Sequence, residues 1–212
     1  IGVPIGLALG IFAALKKNKW QDQVISTGVM VLISVPSIVY AFLIQYFLCF
    51  KANLFPLTMA SGTNYLTWNM FHSMMPAVLA LCLGSIAGYA RYTRAELTEV
   101  LTNEFMLLAR TKGLTKGQAI VRHALRNAMV PIFPMILGEF ISVLSGSLII
   151  EKFFSIPGVG SLYLNSINAL DYDFFMLLSG FFILSALLIF VNGFIFINSS
   201  LTAAFSAPFN TR

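Results

Sequence analysis

What this chain can fold into is set first by a succession of long apolar stretches. A helix needs about 20 predominantly apolar residues to cross the hydrocarbon core of a bilayer. Five stretches reach or approach that length: Ile1 to Leu15, Val24 to Phe50, Ser73 to Tyr92, Met129 to Ile150 and Phe174 to Ile197. Lipid offers no water to an unpaired backbone N–H or C=O, so such stretches are expected to be helical. Only 10% of the 212 residues are charged and 58% are hydrophobic, with a mean hydropathy of +0.85, whereas soluble domains carry about 25% charged residues. The expected fold class is all-α, a polytopic bundle of about five transmembrane helices. Residues 1–212 read as a single transmembrane domain. The first residue lies inside an apolar run, with no initiator Met or signal peptide in view, so the domain is expected to be part of a longer chain with at least one span upstream.

One polar island, Arg91 to Asn127, interrupts the apolar pattern and holds seven of the thirteen Lys and Arg residues. If Lys16, Lys17 and Lys19 are cytoplasmic, alternation of spans places the island and Arg212 on the same side. That side then carries eleven cations, against Lys51 and Lys152 outside. The asymmetry orients the bundle by the positive-inside rule. It also explains the net charge of +5 without a nucleic-acid partner, and none is expected; the partner implied is the lipid bilayer.

Within the apolar stretches, Pro36 removes a backbone donor in mid-span and predicts a kink. Gly138, Ser142, Ser145 and Gly146 are small enough to let a neighbouring helix approach closely. Cys49 and Cys82 lack His or Cys partners at metal spacing and read as small buried hydrophobes. Two outer segments remain. Lys51 to His72 is a polar connector. Glu151 to Asp173 opens on a breaker-rich turn, Ser155-Ile156-Pro157-Gly158-Val159-Gly160. It continues as a short surface or re-entrant helix, Ser161 to Leu170, with Leu162, Ile167 and Leu170 on one face.

The island itself, residues 93–128, reads as two helices joined at a glycine. Glu96 to Lys112 places Leu97, Val100, Leu101, Phe105 and Leu108 near one helical face. Acids (Glu96, Glu99, Glu104) precede bases (Arg110, Lys112), as the helix dipole favours. Gly113 suits a left-handed helix end. Thr115 and Gln118 form a capping-box pattern for a second helix running to about Arg126, and Pro131 stands near the start of the next span. A loop that only fixes topology does not need two capped helices.

Leu107-Leu108-Ala109-Arg110-Thr111-Lys112-Gly113, followed by Arg122-His123-Ala124-Leu125-Arg126-Asn127-Ala128, resembles the "EAA" loop of ABC-type importer permeases of the binding-protein-dependent type I family. The B-type membrane subunit of oligopeptide and dipeptide permeases is the nearest likeness. It extends to Ala14-Leu15-Lys16 through Asp22, to Ser34-Val35-Pro36-Ser37 and to Ser155 through Gly160, and covers about Ile5 to Asn192. The resemblance implies that residues 93–128 form a cytoplasmic coupling loop docked on an ATPase, with the turn from Gly113 to Gly117 as the contact. Ala109, Arg110, Lys112, Gly113, Thr115, Gly117, Arg122, His123, Arg126 and Asn127 are its candidate residues. It also implies a second homologous permease subunit, two cytoplasmic ATP-binding subunits, an extracellular or periplasmic peptide-binding protein and a peptide substrate. Leu107 and Leu108 stand where the general consensus has Glu and Ala, as in the peptide branch. The ending Ser206-Ala207-Pro208-Phe209-Asn210-Thr211-Arg212 departs from the acidic-Pro-Arg ending usual there.

No GxxxxGK[ST] phosphate loop, HExxH or GxSxG occurs, so ATP is expected to be bound by partner subunits, with no cofactor, metal or catalytic site in this chain. His123 reads as a helix-face or interface residue, and Asp171 and Asp173 as solvated or capping carboxylates. Glu139 falls near the middle of an apolar stretch, where a charge costs about 3 kcal/mol. It reads either as a translocation-pathway group able to attract a peptide amino terminus, or as a structural hydrogen-bonding group toward a partner subunit. An ATP-independent transporter or channel would instead use Glu139 as an ion or proton site. Nickel is the alternative cargo of the importer.

Overall fold

The structure is a computed structural model and describes residues 1–62, 66–111 and 113–206. Every regular element among them is helical, which bears out the all-α class: α1 (Gly2–Leu15), α2 (Trp20–Ser34), α3 (Ser37–Ile44) with a π-helical extension (Gln45–Lys51), α4 (Trp68–Thr102), α5 (Glu104–Thr111), α6 (Lys116–Ala119), a π turn (Ile120–Ala124), α7 (Leu125–Ser145), α8 (Leu148–Phe153), α9 (Val159–Asn168) and α10 (Tyr172–Ser206). Three helices are long and apolar enough to cross a membrane: Trp68–Thr102, Lys116–Ser145 and Tyr172–Ile195. A bent pair, α2 with the α3 segment, makes a fourth when counted as one broken span and is otherwise a re-entrant loop, while α1 is apolar but only 14 residues long.

The stretch expected as one tilted span, Val24 to Phe50, is two helices meeting at 96°. Proline disfavours the α conformation in the residue before it, and Val35 and Pro36 are both extended (ψ 126° and 144°). This is a break, where a kink was expected. Pro36 also has no N–H to offer the carbonyl four residues back, that of Leu32. The Tyr40 hydroxyl donates to that oxygen instead, at 2.9 Å.

Two compact units are present, residues 1–129 with 149–157 and residues 130–148 with 158 onward. In the first, α1 lies against α4 through Gly2, Gly6, Gly10 and Ala14, all buried. A Cβ at Gly10 would stand 2.6 Å from the Cβ of Thr93 and 2.7 Å from the carbonyl oxygen of Ala90. Only glycine permits that approach, the small-xxx-small contact of membrane helices. Val29, Ala87 and Ala90 join α2 to the same face. Ala41, Ala77, Ala80, Ile150 and Phe154 pack α3 and α8 on the other end of α4. Alanine supplies ten of the buried apolar residues, so the interior is made by close backbones while the bulky side chains face outward, as lipid-facing surfaces do.

In the second unit, α7 meets α10 at Gly138, where a Cβ would sit 3.7 Å from Ile189. The Ser145 hydroxyl donates to that of Ser185 at 2.8 Å, and the Asn192 amide donates to the Pro134 carbonyl at 3.4 Å. The small residues therefore do admit a neighbour at Gly138 and Ser145. Gly146 instead ends the helix at φ +79°, and the expected span Met129 to Ile150 stops at Ser145. The ring of Tyr163 on α9 meets Phe175 and Phe182 of α10, with centroids 5.1 and 5.2 Å apart. The short helix after the breaker-rich turn begins at Val159 and ends before Leu170, which is left-handed (φ +56°); Leu162, Ile167 and Leu170 are exposed. Asp171 is a capping carboxylate, accepting from the Phe174 N–H at 3.1 Å.

Candidate functional site

The loop grows out of the end of α4 and runs on into the helix that begins at Lys116. The expected helix Glu96 to Lys112 is divided: Glu96 to Thr102 prolong α4, and α5 starts at Glu104. Asn103 makes the break with extended backbone (ψ 149°), its N–H bonding Val100 and its carbonyl receiving Met106. The break resets the helical phase. Leu97 and Val100 remain buried, and Met106, absent from the expected apolar face, joins them. The side chains of Phe105 and Leu108, like those of Ala109 and Arg110, lie outside the described set, as does Lys112 entirely.

Gly113 takes φ +87°, which a residue with a side chain rarely adopts. Thr115 then closes the capping box. Its hydroxyl accepts from the Gln118 N–H at 3.3 Å, and the Gln118 side chain accepts from the Thr115 N–H at 3.1 Å. The helix that follows does not stop at Arg126. It runs without interruption from Lys116 to Ser145, so Pro131 and Pro134 sit inside it rather than at a helix start. Near its beginning the π turn Ile120–Ala124 carries Arg122 and His123; such turns accommodate an extra residue and recur at functional sites.

Beneath the loop, Leu97, Val100, Met106, Ala119, Ala124 and Ala128 form an apolar floor closed by Ala14 of α1. Above it Gly113, Thr115, Gly117, Arg122, His123, Arg126 and Asn127 are all exposed, along with the apolar Leu107 and Val121. A groove of about 370 Å³ opens between Leu101, Met106 and Leu107 on one side and Lys116, Ala119 and Ile120 on the other. The arrangement is a packed knob presenting cations, apolar side chains and an exposed glycine turn. It is suited to docking, and among the described residues no group of three or more His, Cys, Asp or Glu is placed to hold a metal.

Sequence reasoning passed over a half-buried ion pair beside this loop. Asp22, in the first turn of α2, is 2% exposed. Its two oxygens accept from Nε and Nη2 of Arg94 on α4, the latter at 2.8 Å. They also accept the Asn18 N–H at 2.9 Å and the Ser26 hydroxyl at 3.3 Å. The signal was available: Asp22 is the only acidic residue before Glu96. Glu139 lies in α7 and is half-buried.

Residues 6–203 match the family model described as the binding-protein-dependent transport system inner membrane component. The chain belongs to this family. Among its relatives, the dipeptide transport system permease protein DppB of Bacillus subtilis strain 168 is 37% identical over 177 residues, covering 83% of this chain and 54% of the relative. DppB of Lactococcus lactis subsp. cremoris is 36% identical over 176 residues, covering 83% and 55%. The glutathione transport system permease protein GsiC of Salmonella typhi is 33% identical over 171 residues, covering 80% and 53%. The chain thus spans about half the length of the curated relatives it matches. Membership in this inner membrane family agrees with the membrane-length helices: this is a multi-pass protein of the cell membrane.

Proposed function

We propose that this chain is part of a membrane-spanning permease subunit of an ATP-driven importer, forming the pathway for dipeptides or oligopeptides brought by an extracellular binding protein. The single observation that carries the proposal is the loop: a packed helix pair whose second helix is capped and runs on into a span, exposing its glycine turn and cations. The names of its relatives, dipeptide and glutathione permeases, support the same reading.

In this proposal residues 93–128 face the cytoplasm and dock on one of two ATP-binding subunits, which hydrolyse ATP while this chain does not. A second homologous permease completes the pathway. Closure of the ATPases displaces the loop. Because the helix from Lys116 runs unbroken to Ser145, displacement of the turn is carried into that span, and the spans alternate between outward and inward access. Gly113 to Gly117 form the contact, with Arg122, His123, Arg126 and Asn127 beside it. Glu139 serves the pathway, where a carboxylate in a low-dielectric setting attracts a peptide amino terminus. Glu139→Gln is expected to change uptake kinetics with assembly intact, and unchanged kinetics for every peptide tried would remove it from the pathway.

The test is uptake of labelled dipeptide, labelled glutathione and labelled nickel in cells lacking the full-length gene and in complemented cells, with ATP present or depleted. Restored, ATP-dependent peptide uptake is the expected result. Uptake that ignores ATP and follows the proton gradient would replace the proposal with a secondary transporter. Nickel uptake alone would keep the architecture and change the cargo.

A further inference from the structure

The structure assigns a role to Asp22 and Arg94 as positioning residues that lock the start of α2 to the loop-bearing end of α4, so that both move as one body during transport; this rests on the importer proposal. The carboxylate is fully engaged. It takes both Arg94 donors, the Asn18 N–H and the Ser26 hydroxyl, which fixes its orientation in the two-pronged geometry that only arginine provides. Asn18 sits at φ +65° in the turn between α1 and α2, so the same carboxylate also pins that turn.

Arg94 lies one helical turn before Leu97, which is 0% exposed in the apolar floor of the loop. Its backbone nitrogen lies 3.1 Å from where a Cβ on Gly10 would stand. α1, α2 and α4 therefore converge at this pair, directly behind the loop. Beyond it, α2 leads to the 96° break at Val35 and Pro36. An apolar contact at this point would let α2 slide on α4 as the loop moved. A bidentate ion pair has one register.

The experiment compares Asp22→Asn, Arg94→Gln and the double variant in the full-length chain, assembled with its ATPases and binding protein in proteoliposomes. Three quantities are read: assembly, stimulation of ATP hydrolysis by the loaded binding protein, and uptake of a labelled dipeptide. The single variants leave one charge unpaired and are expected to assemble poorly. The double variant removes both charges. It is expected to assemble at the wild-type level and retain basal hydrolysis, yet to lose stimulated hydrolysis and uptake. A double variant that assembles and stays fully coupled overturns the role, leaving a helix-end charge pair. One that fails to assemble also overturns it and makes the pair a folding element. Wild-type complex without ATP-dependent uptake of any labelled peptide tried would fail the importer proposal itself, a result the variants cannot mimic.

Discussion

The α1–α4 contact and the α7–α10 contact join membrane helices by opposite means. Along α1, glycines recur every fourth residue, and the backbone of α4 fills the space where their side chains would be. Between α7 and α10 a side chain at Gly138 would make only ordinary contact, and the helices are held by a serine pair and an asparagine. Burial follows the same division: 33% of the apolar window of α4 is buried, against 6% for α10. Without a hydrophobic drive between helices in lipid, association rests on close packing and on hydrogen bonds. The first contact uses packing and holds the helix from which the loop grows. The second uses hydrogen bonds, leaving most of α10 for lipid or another subunit.

The comparison sharpens most at the loop, which the glycine-packed base supports. Gly113→Pro demands φ near −65° where the chain has +87°, and reversal of Arg122 and Arg126 changes the exposed charges without touching the floor. Both are expected to abolish coupled uptake in the assembled transporter while the helices stay folded. Normal coupling in either would separate the base from transport. Next comes a matched pair of substitutions. Gly10→Ala meets a carbonyl oxygen at 2.7 Å and is expected to destabilise by about 1–3 kcal/mol, the cost of overpacking. Gly138→Ala has ordinary contact distance and should leave thermal unfolding of the purified protein nearly unchanged. Equal effects would erase the distinction between the two contacts.

Tyr40→Phe leaves the Leu32 carbonyl without the donor that replaces the missing Pro36 N–H, and about 1 kcal/mol of stability should go with that hydrogen bond. The same unfolding measurement reads it. Ser185→Ala is the smallest step, about 0.6 kcal/mol for an interhelical hydrogen bond in a membrane. A larger loss would mean that the serine pair does more than hold α7 to α10.

The features legible in the sequence were those written in single residues or short spacings. Apolar length marked the three long spans. Gly113, Thr115 and Gln118 announced the glycine turn and the capping box, and both are present. What escaped depended on how segments meet. Periodicity across Glu96 to Lys112 looked like one helix because nothing in Asn103 forbids helix; only the packing of Met106 into the floor reveals the phase change. The glycines of α1 showed their spacing openly, but which helix they would admit is a tertiary fact. Asp22 was conspicuous as a lone acid, yet its partner stands far along the chain. Pro36 was read as a kink because a missing donor alone gives no more; the full break also needs Tyr40 to satisfy the freed carbonyl.

The π turn at Ile120–Ala124 makes chain length itself a setting. Each residue of an α-helix turns its successor by about 100° and advances it about 1.5 Å. A helix carrying one residue more than its α path requires absorbs it in the π turn, so what lies upstream keeps its facing relative to what lies downstream. The face that Gly117 and Lys116 offer is thus held in register with the helix that follows, although spacing counted along the sequence runs one position out of phase across the turn. Deleting one residue from the turn would restore plain α-helix there, whereas deleting one from the regular α-helix beyond it would swing the two faces apart by about 100°.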